Sequence, residues 1–150
     1  MTNQLDVKKQ IDVVFSIANT LRGTYQPDKY RDVILPMIIL RRIECALADT
    51  RGIVYEAYEA NHDIADVMLR RKSGYPFYNT SKWTLAKLLG DAPQLPVNLT
   101  TYIDAFSPNI KQIFSDLEFD KEIKKMHKGA KLTGVVRKFS ELDLDPAHVN

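Results

Sequence analysis

Three sets of cations are the residues best placed to do chemistry. Arg70, Arg71 and Lys72 open the stretch RRKSGYPFYNTS, and Lys82 follows it. Its Tyr75, Phe77 and Tyr78 are dense aromatics for a loop. Cations beside aromatic rings can meet phosphate and stacked or packed groups. Basic residues also suit a solvated helix end, where they face a favourable dipole. Lys121, Lys124, Lys125, Lys128 and Lys131 form a second set, and spacings of three and four put several on one helical face. That face can contact a nucleic-acid backbone or merely keep the domain soluble. Arg41 and Arg42 differ, because they close the apolar run RDVILPMIILRRIECAL. Arg41 falls on an apolar stripe one turn after Met37, so it must snorkel, pair or meet a partner. Glu44 is available for an i,i+3 ion pair. A subunit or phosphate contact is the other reading for both arginines.

Other chemistries lack their residues. Six glycines are scattered without a nucleotide fingerprint. His62, His127 and His148 have polar surroundings or lie in the tail, with no metal-ligand spacing and no nucleophile partner. Asp63 and Asp66 read as a wet helical face rather than an acid–base pair. The single Cys45 excludes an internal disulfide and sits among Ile43, Ala46 and Leu47 as a small core thiol. Net charge is +2, so overall charge alone supports neither a nucleic-acid nor a membrane partner. Val33 to Leu40 is too short to span a bilayer. With a single cysteine, the reducing interior of a cell is the expected compartment, and MTNQLDVKKQIDV shows no signal-peptide core or cleavage pattern.

The elements that must position these residues are helical. Leu5 to Leu21 repeats apolar residues at helical spacing, with Ile11, Val14, Phe15, Ala18 and Leu21 inward and Gly23 as the stop. Asp28 is expected to cap the next helix. That helix, holding Pro36, is expected to be long, bent near Asp32 and central in the core. The proline costs about 3 kcal/mol. Two or three large side chains leaving water offset that, at roughly 1.5–3 kcal/mol each. A third helix is expected over Val54 to Lys72, with Ala57, Ile64, Ala65, Met68 and Leu69 inward. Thr80 or Ser81 should open a short helix closed by Gly90, and DAPQLPVN should be a connector. Short helices follow over Leu99 to Phe106 and Ile110 to Leu117, the second capped by Ser107 with Pro108 in its first turn. Asp120 should cap a segment to about His127. LTGVVRKFSEL is the last helix, with Leu132, Val135, Val136, Phe139 and Leu142 inward. The tail should begin a new element near Pro146, as at a domain edge. The fold class is therefore all-α: a compact domain of about seven to nine helices, with no βαβ unit.

Four segments carry a family resemblance. IDVVFSIANTLRGTYQPDKYRDVILPMIILRRIE, FYNTSKWTLAKLL, NLTTYIDAFSPNIKQIFSDLEF and VVRKFSELDL occur in that order. Together they resemble the N-terminal helical domain of the modification subunit of type I restriction–modification systems. The resemblance implies a bacterial or archaeal cytoplasmic parent that methylates adenine N6 in DNA, using S-adenosylmethionine. In that family the cofactor motif and the Asn-Pro-Pro-Phe or Asn-Pro-Pro-Tyr motif belong to a separate Rossmann-like domain. Neither occurs here, and FSPN at 106–109 is not a substitute. Residues 1–150 are thus expected to be a helical domain with no catalytic or cofactor-binding residue of its own. The implied partners are double-stranded DNA, its own catalytic domain, a specificity subunit, a second modification subunit and, where present, a restriction subunit. DNA-phosphate candidates are Arg70, Arg71, Lys72, Lys82, Lys121, Lys124, Lys125 and Lys128. Interface candidates are Arg41, Arg42, Tyr75, Phe77 and Tyr78. A pure protein-interaction module without DNA contact stays open beside the DNA-facing reading.

Overall fold

The computed structural model describes residues 4–145, with side-chain surroundings from Lys8 onward. Helix α1 spans Gln4–Leu21. It stops where Gly23 takes φ +91°, a conformation that costs glycine no Cβ clash, and Tyr25 N closes on Leu21 O at 2.9 Å. The packed stripe is Ile17 and Leu21, with Val13 half-buried beside the core. Ile11 and Phe15, expected inward, are 49% and 68% exposed. Two stripes with helical spacing overlap in this segment, and contact with the last helix selects one. Lys138 Nζ donates to Ser16 Oγ at 2.6 Å, which turns that side of α1 inward.

Helix α2 spans Arg31–Leu47 and runs through Pro36 without interruption. Val33, Met37 and Leu40 are fully buried, while Leu35 is half exposed. Asp28 does not cap it, because it lies in a 3-10 turn, Pro27–Lys29, and the cap position falls to Tyr30.

The single helix expected over 54–72 is two helices, α3 (Arg51–Ala60) and α4 (Asp66–Ser73). Asn61 is extended, and its Oδ1 accepts from Asp63 N at 3.0 Å. An asparagine side chain competing for local backbone donors favours a turn over helix continuation. The reversal packs α3 against α4 around a small cluster of Val54, Leu69 and Tyr78. Of the five residues expected inward, only Leu69 is fully buried; Ala65 and Met68 are exposed.

Helix α5 is one turn, Leu85–Leu88, capped by Thr84 rather than Thr80 or Ser81; Lys87 N donates to Thr84 Oγ1 at 3.1 Å. The expected connector is instead a 3-10 segment, Leu89–Gln94, leading into α6 (Leu95–Asp104). Helix α7 (Pro108–Asp116) has Pro108 in its first turn. Ser107 stands at its cap position, but its hydroxyl accepts from Tyr78 N at 3.2 Å. Helix α8 spans Phe119–Lys128, preceded by Glu118 in the left-handed region; Asp120 lies inside its first turn instead of capping it. Helix α9 spans Leu132–Ser140 and packs on α1, α2, α5, α6 and α8. Leu132, Val135, Val136, Phe139 and Leu142 are all buried, as their spacing predicts. Among the described residues no strand forms, and the fold is a compact all-α domain. The element expected near Pro146 lies outside the described residues.

Gly129, at the C-terminal cap of α8, marks a close approach. A Cβ there would lie 2.7 Å from Thr24 Oγ1 and 2.9 Å from Thr24 Cγ2. Gly129→Ala should therefore destabilise the chain by about 1–3 kcal/mol, the usual cost of overpacking. Each kcal/mol corresponds to roughly 2–4 °C in melting temperature at this chain length. Adding Thr24→Ala should recover most of the loss in circular-dichroism melts; no recovery would locate the strain elsewhere.

Candidate nucleic-acid interface

The end of α2 holds a charged group in the core. Glu44 is 7% exposed. Its Oε1 pairs with Arg41 Nη1 at 2.6 Å. Its Oε2 accepts from Tyr102 OH at 2.6 Å and from Leu85 N at 2.8 Å. Arg41 Nε donates to Leu142 O at 2.7 Å. Arg41 is thus engaged inside the domain, joined to the chain just after α9. Burial first, then the charge of Glu44, raises the Tyr102 phenol well above its ordinary range. Arg42 is exposed and has no partner among the described residues. Cys45 is half-buried, and burial raises its thiol pKa.

The aromatic loop divides its three rings. Tyr78 is 7% exposed, and its OH donates to Asp66 Oδ1 at 2.6 Å. Burial, then that bond, pushes the Tyr78 phenol up to about 12. Asp66 Oδ2 pairs with Arg70 Nη2 at 2.6 Å. Phe77 packs against the main core. Tyr75 stacks on Phe77 with ring centres 5.2 Å apart and remains exposed. Arg71 and Lys72 are exposed, without a partner among the described residues. Lys82 Nζ lies 5.0 Å from the Trp83 ring centre.

On α8, Phe119, Ile123 and Met126 turn inward and the lysines outward. Lys121 pairs with Glu118 at 3.6 Å on the open surface. Lys125 Nζ lies 4.2 Å from the Tyr25 ring centre, a cation–π contact. Tyr25 OH donates to Glu122 Oε1 at 2.9 Å, and burial followed by that bond raises its phenol pKa. Lys124 and Lys128, one turn apart, are exposed and without a partner among the described residues. Lys131 is half-buried at the cap position of α9. The two basic sets ride on different packing groups: α4 on α3, and α8 on α2, α6, α7 and α9.

A cleft of about 630 Å³ lies between α6, α7 and α8, with Asp104, Lys111 and Asp120 among its lining residues; none of the candidate residues lines it. His62 stacks on Tyr58, and no group of potential ligands could hold a metal among the described residues. No described helix is long and apolar enough to cross a membrane.

Residues 12–139 match the family model described as the HsdM N-terminal domain. The chain belongs to that family. It is therefore part of a type I restriction–modification modification subunit. No curated protein and no solved structure matches it. In this HsdM domain, local spacing revealed the Arg41–Glu44 pair. The other partners of Glu44, Tyr102 and the N–H of Leu85, are 58 and 41 residues away. The cation–π seat of Lys125 likewise depends on Tyr25, from a distant connector; no local pattern signals it.

Two tests address these networks. Glu44→Ala should cost the HsdM domain about 3–5 kcal/mol in urea unfolding, because Arg41 is left without its carboxylate. Tyr102→Phe should cost about 1.5–3 kcal/mol, the range for a bond to a charged group; equal losses would contradict this arrangement. For Tyr78, the folded chain keeps its proton from pH 10 to about 12 while the unfolded chain loses it. Its contribution to stability is whole below pH 10 and falls as pH rises through that window. Tyr78→Phe should make the alkaline loss shallower; an unchanged slope would exclude this linkage.

Proposed function

We propose that this HsdM domain is a non-catalytic, DNA-facing part of a modification subunit. It supports assembly with its own catalytic domain, a specificity subunit and a second modification subunit, and helps enclose the duplex. The catalytic domain transfers methyl from S-adenosylmethionine to adenine N6. No cofactor contact is proposed for this chain.

The observation that supports the DNA-facing reading is the division among the cations. Arg41, Arg70, Lys121 and Lys125 each engage a neighbour. Arg71, Lys72, Lys124 and Lys128 stay exposed and without partners among the described residues. Cations held outward in this way can neutralise backbone phosphates, adding affinity without reading sequence. A second reading, a pure protein-interaction module, draws on Phe15 and Ile11, which form an exposed i,i+4 pair on α1, and on exposed Arg42.

One experiment separates them. The assembled enzyme is titrated with nonspecific duplex at several salt concentrations, by fluorescence anisotropy, with Arg71, Lys72, Lys124 and Lys128 changed to alanine. The slope of log affinity against log salt should shrink by about one for each phosphate contact removed. Unchanged affinity and slope would reject these four as DNA contacts. If Arg42→Ala then weakens assembly in light scattering, the interaction-module reading stands in its place.

A further inference from the structure

Tyr75 is the one ring of the aromatic loop that the fold leaves out. Phe77 joins the main core and Tyr78 is buried on Asp66. Tyr75 lies with one face on Phe77, at an interplanar angle of 26°, and is 37% exposed.

The loop that carries it is held on several sides. Ser73 Oγ, in a residue 1% exposed, lies 2.8 Å from Phe77 O and 3.0 Å from Arg70 O, and accepts from Tyr75 N at 3.1 Å. Asn109 Nδ2 donates to Pro76 O at 3.0 Å. Thr50 Oγ1 donates to Ser73 O at 2.8 Å. Gly74, with φ +81°, ends α4 and turns the chain from the cations into the ring. The result is a supported aromatic surface next in sequence to two cations, Arg71 and Lys72, that no described group neutralises.

We propose that Tyr75 is a stacking platform for an unstacked nucleobase, with Arg71 and Lys72 holding the flanking phosphates. This rests on the nucleic-acid reading above and narrows it to one site and one ligand class, single-stranded or locally opened nucleic acid. Base stacking on aromatic side chains combined with a cationic track is the general solution for binding such strands without sequence preference. Backing by Phe77 keeps the ring in place, so little freedom is lost when a third ring stacks on it. A protein partner is favoured less. The immediate neighbours of Tyr75 are Gly74 and Pro76, which add no large side chain for a protein anchor, although Val67 and Met68 are exposed one turn before Arg71 and Lys72.

The test uses this chain with selectively labelled tyrosine rings, followed by nuclear magnetic resonance at low salt. The probes are octathymidylate, the same octamer made abasic, and a short blunt duplex. The Tyr75 ring signal should move upfield with octathymidylate. The abasic octamer should bind about tenfold more weakly, as should octathymidylate to Tyr75→Ala, while Tyr75→Phe keeps the affinity. Duplex affinity should be unchanged in Tyr75→Ala and reduced in the Arg71→Ala, Lys72→Ala double variant. Equal binding of the abasic octamer overturns the platform, as does full affinity in Tyr75→Ala or no binding of octathymidylate. Loss of subunit assembly in Tyr75→Ala with octathymidylate affinity intact also overturns it and makes the ring a protein anchor. Duplex binding by the assembled enzyme that still depends on the four cations would show that only the platform has failed.

Discussion

The arrangement of this domain turns on the carboxylate of Glu44. A charge this deep carries a desolvation penalty of several kcal/mol, and only a full set of partners offsets it. Here the set is drawn from four places: Arg41 on the same helix, the first N–H of α5, the Tyr102 phenol of α6, and, through Arg41, the carbonyl of Leu142 beyond α9. Hydrophobic burial alone leaves helices free to slide by small amounts, because apolar contact has no direction. A carboxylate with three donors on it fixes where α2, α5 and α6 meet. Among the described residues no buried side-chain nitrogen or oxygen lacks a hydrogen bond. The polar network therefore adds orientation without leaving a stranded group.

With that corner fixed, α9 fills the middle and α8 closes against it. The apolar side of α8 is set by Phe119, Ile123 and Met126, so its lysines face outward without any need for a ligand. What distinguishes one lysine from the next is its neighbour. Lys125 lies over Tyr25, whose hydroxyl is bonded to Glu122, so that cation helps fasten the connector between α1 and α2. The same logic operates at α4. Arg70 completes a chain from Tyr78 through Asp66, and the next two basic residues do not take part in it.

Much of this was legible in the sequence where the deciding interaction is local. The span of α2, the inward residues of α9, Pro108 in a first turn and the Arg41–Glu44 pair all follow from spacings of one to seven residues. The four ordered segments also sufficed to place the chain in its family, which the match over residues 12–139 shows. The misreadings share a different cause. Ile11 and Phe15 form as good a helical stripe as Val13, Ile17 and Leu21, and only the position of α9 decides between them. Residues 54–72 keep helical periodicity across Asn61, but the asparagine's own side chain takes a backbone donor and turns the chain. Ser107 is a good cap by type, yet Tyr78 N has its hydroxyl instead. In each case a competing partner, distant or backbone-derived, outweighs a valid local preference. The candidate sites follow the same rule: sequence identified every cation, and the fold determined which of them were already engaged.

That distinction changes what charge says about function in a near-neutral domain. A net charge of +2 sums acids and bases wherever they lie, so it does not say where positive charge stays exposed. The relevant quantity is the set of cations that folding leaves solvated. Among the described residues they include Arg71 with Lys72 and Lys124 with Lys128, on helices that belong to different packing groups, beside single exposed cations such as Lys29, Arg31, Arg42, Lys111 and Arg137. A single broad basic face would bind any polyanion in many registers. Two small, separated pairs would discriminate by geometry, since both could engage only if backbone phosphates passed each of them at once. On the proposed DNA-facing reading, one pair alone would hold a backbone weakly and two together more firmly, because the second contact becomes intramolecular once the first is made.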